Sequence, residues 1–347
     1  MDDLIKKQFL IELGDLFRAT TELETNPSSK NSQQIVKGIE LIESVHIQNP
    51  WFTKESVQAS FRAWGASLVT EKVDAWLNKY QLDNLSDKKV GVIMAGNIPL
   101  VGLHDALCVL LSGNTLVAKL SSKDNELMNW VLDSIQLIQP AFKERIKRTD
   151  KFSEIDILIA TGSDNSARYF DYYFKDKKRL IRKNRTSVAV IKGDESAEEL
   201  IGLSHDVFTH FGLGCRNVTK VFIPRGYDLD LLFNAFFGYK DIINHNKYAN
   251  NYDYNKAVYL LNKIELIENG FLLLKEDEGL HSPVGVLFYE FYDSLDDVLS
   301  RLNEDKEEVQ CKVGSFSDKS FTPFGRAQQP ELADYADGVD TMKFLSA

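Results

Sequence analysis

The chain has 347 residues, 44% hydrophobic and 27% charged, an ordinary globular composition with length enough for a large core and two domains. With 51 acidic against 41 basic residues the net charge is −10, which argues against bulk nucleic-acid binding. No apolar run approaches the length of a membrane span, and Met1 opens an acidic amphipathic segment without a signal-peptide core, so a cytoplasmic protein with no membrane span is expected.

Helical apolar spacing runs through residues 4–16, 34–44 and 54–80, with the polar stretch 26–31 between the first two. From there the pattern alternates. Strands are predicted at 90–94, 115–119, 155–160 and 187–191 with helices between them, and alternating β and α elements imply a parallel sheet. The basic stretch 175–183 reads as a solvated loop, a local phosphate site being the alternative. A boundary is predicted near Gly193, which divides the chain into 1–192, 193–325 and a C-terminal tail, 326–347. Beyond it, a helix at 196–211 is followed by a strand at 219–223, a helix at 229–237, strands at 271–274 and 284–289, and a helix at 294–303. The expected fold class is therefore α/β: two open α/β domains behind an N-terminal helical segment. There is no internal repeat and no Gly-x-Gly-x-x-Gly dinucleotide fingerprint.

Two segments carry candidate chemistry. In Phe211-Gly212-Leu213-Gly214-Cys215-Arg216-Asn217 a thiol is flanked by glycines, whose missing Cβ atoms let a ligand approach the backbone. Cysteine is well suited to hold an acyl group as a thioester. A small buried residue at a helix end is the other reading of Cys215. The second segment, 90–100, reads as strand, Gly-Asn turn and a helix opened by Pro99. Asn97 then stands beyond the carboxyl end of a strand, where open α/β sheets place ligands, and its amide suits an oxyanion donor; a plain turn or cap residue is the alternative. His210, just before Cys215, is read either as a proton-transfer group or as a helix histidine bound to backbone. His104 and Asp105 support the Asn97 turn or lie on a solvated helix face. Cys108, Cys215 and Cys311 form neither a disulfide framework nor a zinc spacing, which points to a reducing compartment and no metal.

Ala95-Gly96-Asn97-Ile98-Pro99-Leu100 resembles the Pro-Trp-Asn-Phe-Pro turn of the aldehyde dehydrogenase superfamily, whose Asn helps to form the oxyanion hole. Gly113-Asn114 through Lys119-Leu120-Ser121-Ser122 resembles that family's Gly-Asn, strand, Lys-Pro-Ser-Glu stretch, whose Lys binds the adenosine ribose. Thr161-Gly162-Ser163 resembles its pyrophosphate turn, and 210–215 replaces its Asn-x-Gly-Gln-x-Cys. These segments occur in the family's order over about residues 88–225. The tail, Pro323-Phe324-Gly325-Arg326-Ala327-Gln328-Gln329-Pro330 through Asp337-Gly338-Val339-Asp340-Thr341, is similar to that of the fatty acyl-CoA reductases related to the reductase component of bacterial bioluminescence; no chemical role is derived for Gln328, Gln329 or Asp340.

The resemblance implies a nucleotide-binding first domain, a cysteine nucleophile in the second, and cofactor contacts from Lys119, Ser121, Ser122, Gly162 and Ser163. A Ser163 hydroxyl opening a helix suits pyrophosphate, a plain capped turn being the other reading. Ser122 stands where many relatives place the carboxylate that binds the NAD ribose, and Lys123 follows it, so NADPH is expected, with NADH possible. The segment matching the family's Glu-Leu-Gly-Gly-Lys, Leu180 to Arg185, has no carboxylate, so no base activates water. The family's nicotinamide-ribose Glu is missing from Gly279-Leu280-His281-Ser282-Pro283 or is supplied by Glu278. The implied activity is NADPH-dependent reduction of a fatty acyl-CoA, or an acyl carrier protein thioester, to the aldehyde through a Cys215 acyl-enzyme. A Cys215 acyltransferase or thioesterase and a non-catalytic scaffold are the other readings. A homo-oligomer is possible, although no hairpin matches the family's oligomerisation arm.

Overall fold

The computed structural model describes residues 2–22, 31–81, 87–152, 154–162 and 164–346. The chain divides into two compact units, one of residues 1–184 with 330–347 and one of 185–329. Strands in the first are β1 (Lys89–Ile93), β2 (Thr115–Lys119), β3 (Ile146–Arg148), β4 (Ile157–Thr161) and β5 (Lys178–Arg182). They form one wholly parallel sheet in the order β3-β2-β1-β4-β5.

Period-two alternation assigns each strand residue of that sheet to a face. Val90, Val92, Leu116, Ala118, Ile157 and Ile159 join the large core built with the N-terminal helices, while Val117, Leu158 and Ala160 pack on the other face against Phe170 and Phe174. A parallel sheet covered on both faces explains the near-continuous apolar strands. The N-terminal helices are Asp3–Thr21, Ser32–Ser44, Lys54–Ser67 and Thr70–Leu77. The single helix expected over 54–80 is thus two, because the chain leaves helical geometry at Leu68 (ψ 56°). Leu68 packs so closely on Gly14 that a Cβ there would lie 2.3 Å from the Leu68 carbonyl oxygen.

The second unit holds β6 (Thr186–Val190), β7 (Val218–Pro224), β8 (Ile267–Glu268), β9 (Leu273–Glu276), β10 (Val286–Tyr292), β11 (Val309–Val313) and β12 (Phe321–Thr322). Their order is β12-β11-β6-β7-β10-β9-β8, parallel except for the short β8 pairing with β9. Helix Ala197–Phe208 precedes β7, and helices Asp230–Phe236, Asn246–Leu261 and Leu295–Glu304 lie in the connections that follow.

The structure corrects several expectations. The strand expected at 187–191 pairs with β7 and β11, so the first unit ends at Asn184 rather than at residue 192. Residues 178–182 of the basic stretch are strand β5 and not a loop; Arg182 is buried against the Asp105 carboxylate at 2.7 Å and the Thr341 hydroxyl at 2.8 Å. The tail is no separate body. Residues 330–347 belong to the first unit, where Leu332, Tyr335, Met342 and Leu345 enter its core, Trp76 donates to the Tyr335 hydroxyl at 2.8 Å and Tyr80 donates to the Asp340 carboxylate at 3.0 Å. His104 and Asp105 lie on no solvated face: the His104 ring meets the Leu332 carbonyl at 2.9 Å, and Asp105 is the partner of Arg182.

Candidate active site

In the first unit, β1, β2 and β4 are neighbours that all point the same way, so the segments after them share one edge of the sheet. Asn97 lies in the turn after β1, Lys119 is the last residue of β2, and Gly162 follows β4. The strand order reverses between β1 and β4, the place where open α/β sheets bind ligands. Asn97, Lys119, Ser122 and Lys123 are exposed, and Ser121 and Gly162 are half-buried. Ser163 lies outside the described residues.

Two details shape this edge. Pro99 does not open the following helix, Leu103–Leu111; between them Leu100 takes a left-handed conformation (φ 62°) with its side chain buried. The Asn97 turn also lies directly on the loop after β2. A Cβ on Gly96 would come within 2.5 Å of the Ser121 hydroxyl oxygen, so only glycine allows the approach. Ser121 meanwhile accepts from the Lys123 amide at 3.2 Å, and Asn49 donates to the Lys123 carbonyl at 3.0 Å. Lys119 and Ser122 remain as exposed polar groups, a cation and a hydroxyl suited to a ribose and its phosphate.

In the second unit, Cys215 sits between helix Ala197–Phe208 and β7. The helix expected to reach 211 stops at Phe208, because His210, Phe211 and Gly212 are successively left-handed (φ 54°, 59° and 76°). Such backbone is costly outside glycine and persists where its surroundings fix it. The fixing group is Asn217, fully buried: its amide donates to the carbonyls of Asp206, Val207 and Thr209 at 3.1, 3.2 and 2.7 Å, and its oxygen accepts from the Gly214 N–H at 2.8 Å. Ser187 on β6 donates to the Cys215 carbonyl at 3.0 Å. The side chain of Cys215 is exposed on this loop, whereas Cys108 lies fully buried in its helix and Cys311 is buried on β11. Burial pushes both of those thiols up and away from thiolate character.

His210 is buried, and desolvation pushes it down to about 4, so it is neutral at physiological pH and supplies no imidazolium beside the thiol. Asp206, also buried, accepts from the amides of Gly325 at 2.6 Å and Ala327 at 2.9 Å, and burial raises it to about 7. Arg216 donates to the Ala327 carbonyl at 3.4 Å, so residues 325–327 are held beside the Cys215 loop. Behind Phe211 and Gly212 lies a cavity of about 20 Å³ bounded by Val207, Phe208, Val218 and Tyr248, room for a single water. Phe236 is core and Phe237 is exposed. Glu278 is exposed, and its carbonyl accepts from Arg301.

Asn217, Asp206, Ser187 and Asp124 escaped the sequence reading. The one available signal was position: an Asn two residues after the thiol at a helix-to-strand turn, and an Asp directly before a helix. No group of three or more metal-ligating side chains occurs among the described residues, and no helix among them is long and apolar enough to cross a membrane.

No family model matches the sequence, and no curated protein matches it. Solved structures do. An aldehyde dehydrogenase mutant from Bacillus cereus aligns with a TM-score of 0.61 at 14% identity, over 92% of this chain and 73% of that one. An NAD+ complex of the enzyme from Bacillus cereus gives 0.59 at 16% identity over 87% and 70%. A Pseudomonas syringae aldehyde dehydrogenase mutant with NAD+ and octanal gives 0.57 at 13% over 85% and 70%. At such identities the likeness speaks for architecture, and it agrees with the two parallel sheets: the chain has the aldehyde dehydrogenase fold.

Proposed function

We propose that the protein reduces a fatty acyl thioester, of CoA or of an acyl carrier protein, to the aldehyde with NADPH. The observation that carries this reading is the presentation of Cys215: of three cysteines it is the exposed one, on a left-handed loop pinned by the buried Asn217, where a thiol serving only as packing would have no reason to be. The Cys215 thiolate attacks the thioester carbonyl, the Asn97 amide and the Cys215 backbone N–H stabilise the oxyanion, and the carrier thiolate leaves. A nicotinamide cofactor, when bound, would supply hydride to this acyl-enzyme. Cys215 would then hold the thiohemiacetal alkoxide until its C–S bond breaks, which releases aldehyde and returns the thiolate.

Lys119, Ser121, Ser122, Gly162 and Ser163 are the cofactor residues of this reading. The aldehyde dehydrogenases of similar fold were solved with NAD+, which favours a nicotinamide cofactor here; Ser122 in place of a carboxylate, with the exposed Lys123 beside it, favours the 2′-phosphate. Reduction is preferred to hydrolysis because 180–185 offers no carboxylate base and its one buried charge, Arg182, is committed to Asp105. The test is NADPH consumption with acyl-CoA of graded chain length and identification of the product. Aldehyde is expected; free acid formed as fast without NADPH would replace this reading with a thioesterase.

A further inference from the structure

The buried carboxylate of Asp124 stands outside the machinery described above. Asp124 is 1% exposed and occupies the N-cap of helix Asn125–Ile138, yet makes no capping hydrogen bond there. An N-cap aspartate ordinarily satisfies the free amides of its own helix. Here Oδ2 instead accepts from the N–H of Leu100 at 2.7 Å, and Oδ1 is buried with no partner among the described residues. A lone buried carboxylate oxygen costs free energy, and a local preference given up without a local gain marks a group kept for another purpose. Leu100 is the left-handed residue that closes the Asn97 turn. The same turn touches the Asp124 loop again at Gly96, where a Cβ would lie 3.2 Å from the Asp124 Cβ.

We propose that Asp124 is a positioning residue: by holding the Leu100 N–H it fixes the turn that aims the Asn97 amide and locks that turn to the Ser121–Ser122 loop. The inference rests on the oxyanion role given to Asn97 above. Capping of the 125–138 helix alone does not explain the contact, because the carboxylate makes no capping hydrogen bond to that helix's amides.

The test uses the full-length enzyme with Asp124→Leu, Asp124→Asn and Asn97→Ala, singly and with Asp124→Leu joined to Asn97→Ala, assayed for kcat, for KM of NADPH and by thermal unfolding. Displacing a reacting donor by about 1 Å costs on the order of 100-fold, so Asp124→Leu should lower kcat about 10- to 100-fold while KM for NADPH stays within about threefold. Asp124→Asn, whose amide oxygen accepts the same N–H, should restore most of kcat. On the Asn97→Ala background Asp124→Leu should add nothing, because the donor it positions is gone. Multiplicative losses in the double variant, or a kcat that follows unfolding temperature without rescue by Asn, would overturn the proposal. If Asp124→Leu does not fold, Asp124→Ser, which caps the helix but is too short for Leu100, takes its place. An inactive wild type, or Asn97→Ala with unchanged kcat, removes the functional reading and this role together, and either is seen before any Asp124 variant is measured.

Discussion

The Asn97 turn and the Cys215 loop both depend on left-handed backbone outside glycine, and each is held by one buried polar side chain from beyond the turn. The two holders differ. Asn217 is neutral and has both ends of its amide engaged, three carbonyls on the nitrogen and one N–H on the oxygen. Asp124 is acidic, has one oxygen engaged and one buried without a partner among the described residues, and burial raises its pKa well above the ordinary carboxylate range. A saturated neutral amide stabilises the fold, whereas a half-satisfied carboxyl holds a position at a cost in stability. The difference separates what each substitution should do.

Asn217→Ala should be the most damaging to stability. It strands the Gly214 N–H and three carbonyls in the interior, at a cost of roughly 3–5 kcal/mol read by urea or thermal unfolding. Asp124→Asn should cost less than about 1 kcal/mol, since it removes the desolvation of an acid; equal losses at the two sites would erase the contrast.

Asp206, which ties residues 325–327 to the helix before Cys215, should make stability depend on pH. Its folded value of about 7 lies above its ordinary 3.8, so the folded state keeps a proton that the unfolded chain has lost. Its contribution is full below about pH 4 and falls as pH rises to about 7. Between those limits wild type should lose roughly 2–4 kcal/mol relative to Asp206→Asn, which cannot ionise. Parallel pH–stability curves for the two proteins would show that Asp206 is not the source.

At the exposed rim of the Asn97 edge the expected effect is smaller and falls on ligand preference alone. Ser122→Glu should weaken NADPH relative to NADH by about 1–3 kcal/mol, read by titrating both cofactors, without moving the unfolding temperature. Identical preference before and after the change would mean that Ser122 does not meet the adenosine ribose.

Much of the architecture was legible because parallel strands covered on both faces are continuous apolar runs: β1, β2, β4 and β7 all stand within two residues of their expected bounds. Edge strands were not. Ile146–Arg148 is two-thirds charged and too short to show a strand pattern, and Lys178–Arg182, charged at 178, 179 and 182, read as part of a solvated loop, although Arg182 is buried. Asn97 and Cys215 were visible through neighbouring glycines and strand ends. The groups that hold them were invisible, since Asn217 and Asp124 act on backbone amides and carbonyls, and a hydrogen bond to backbone leaves no trace in the identity of its partner.

The central claim is that Cys215 carries the acyl group that is reduced. Its most direct test is intact-protein mass spectrometry after addition of long-chain acyl-CoA without NADPH, on wild type and on Cys108→Ser, Cys215→Ser and Cys311→Ser, followed by addition of NADPH. A single acyl adduct is expected on every protein except Cys215→Ser, persisting until NADPH discharges it as aldehyde. An adduct that survives Cys215→Ser, or one that leaves as free acid at the same rate without NADPH, would contradict the account.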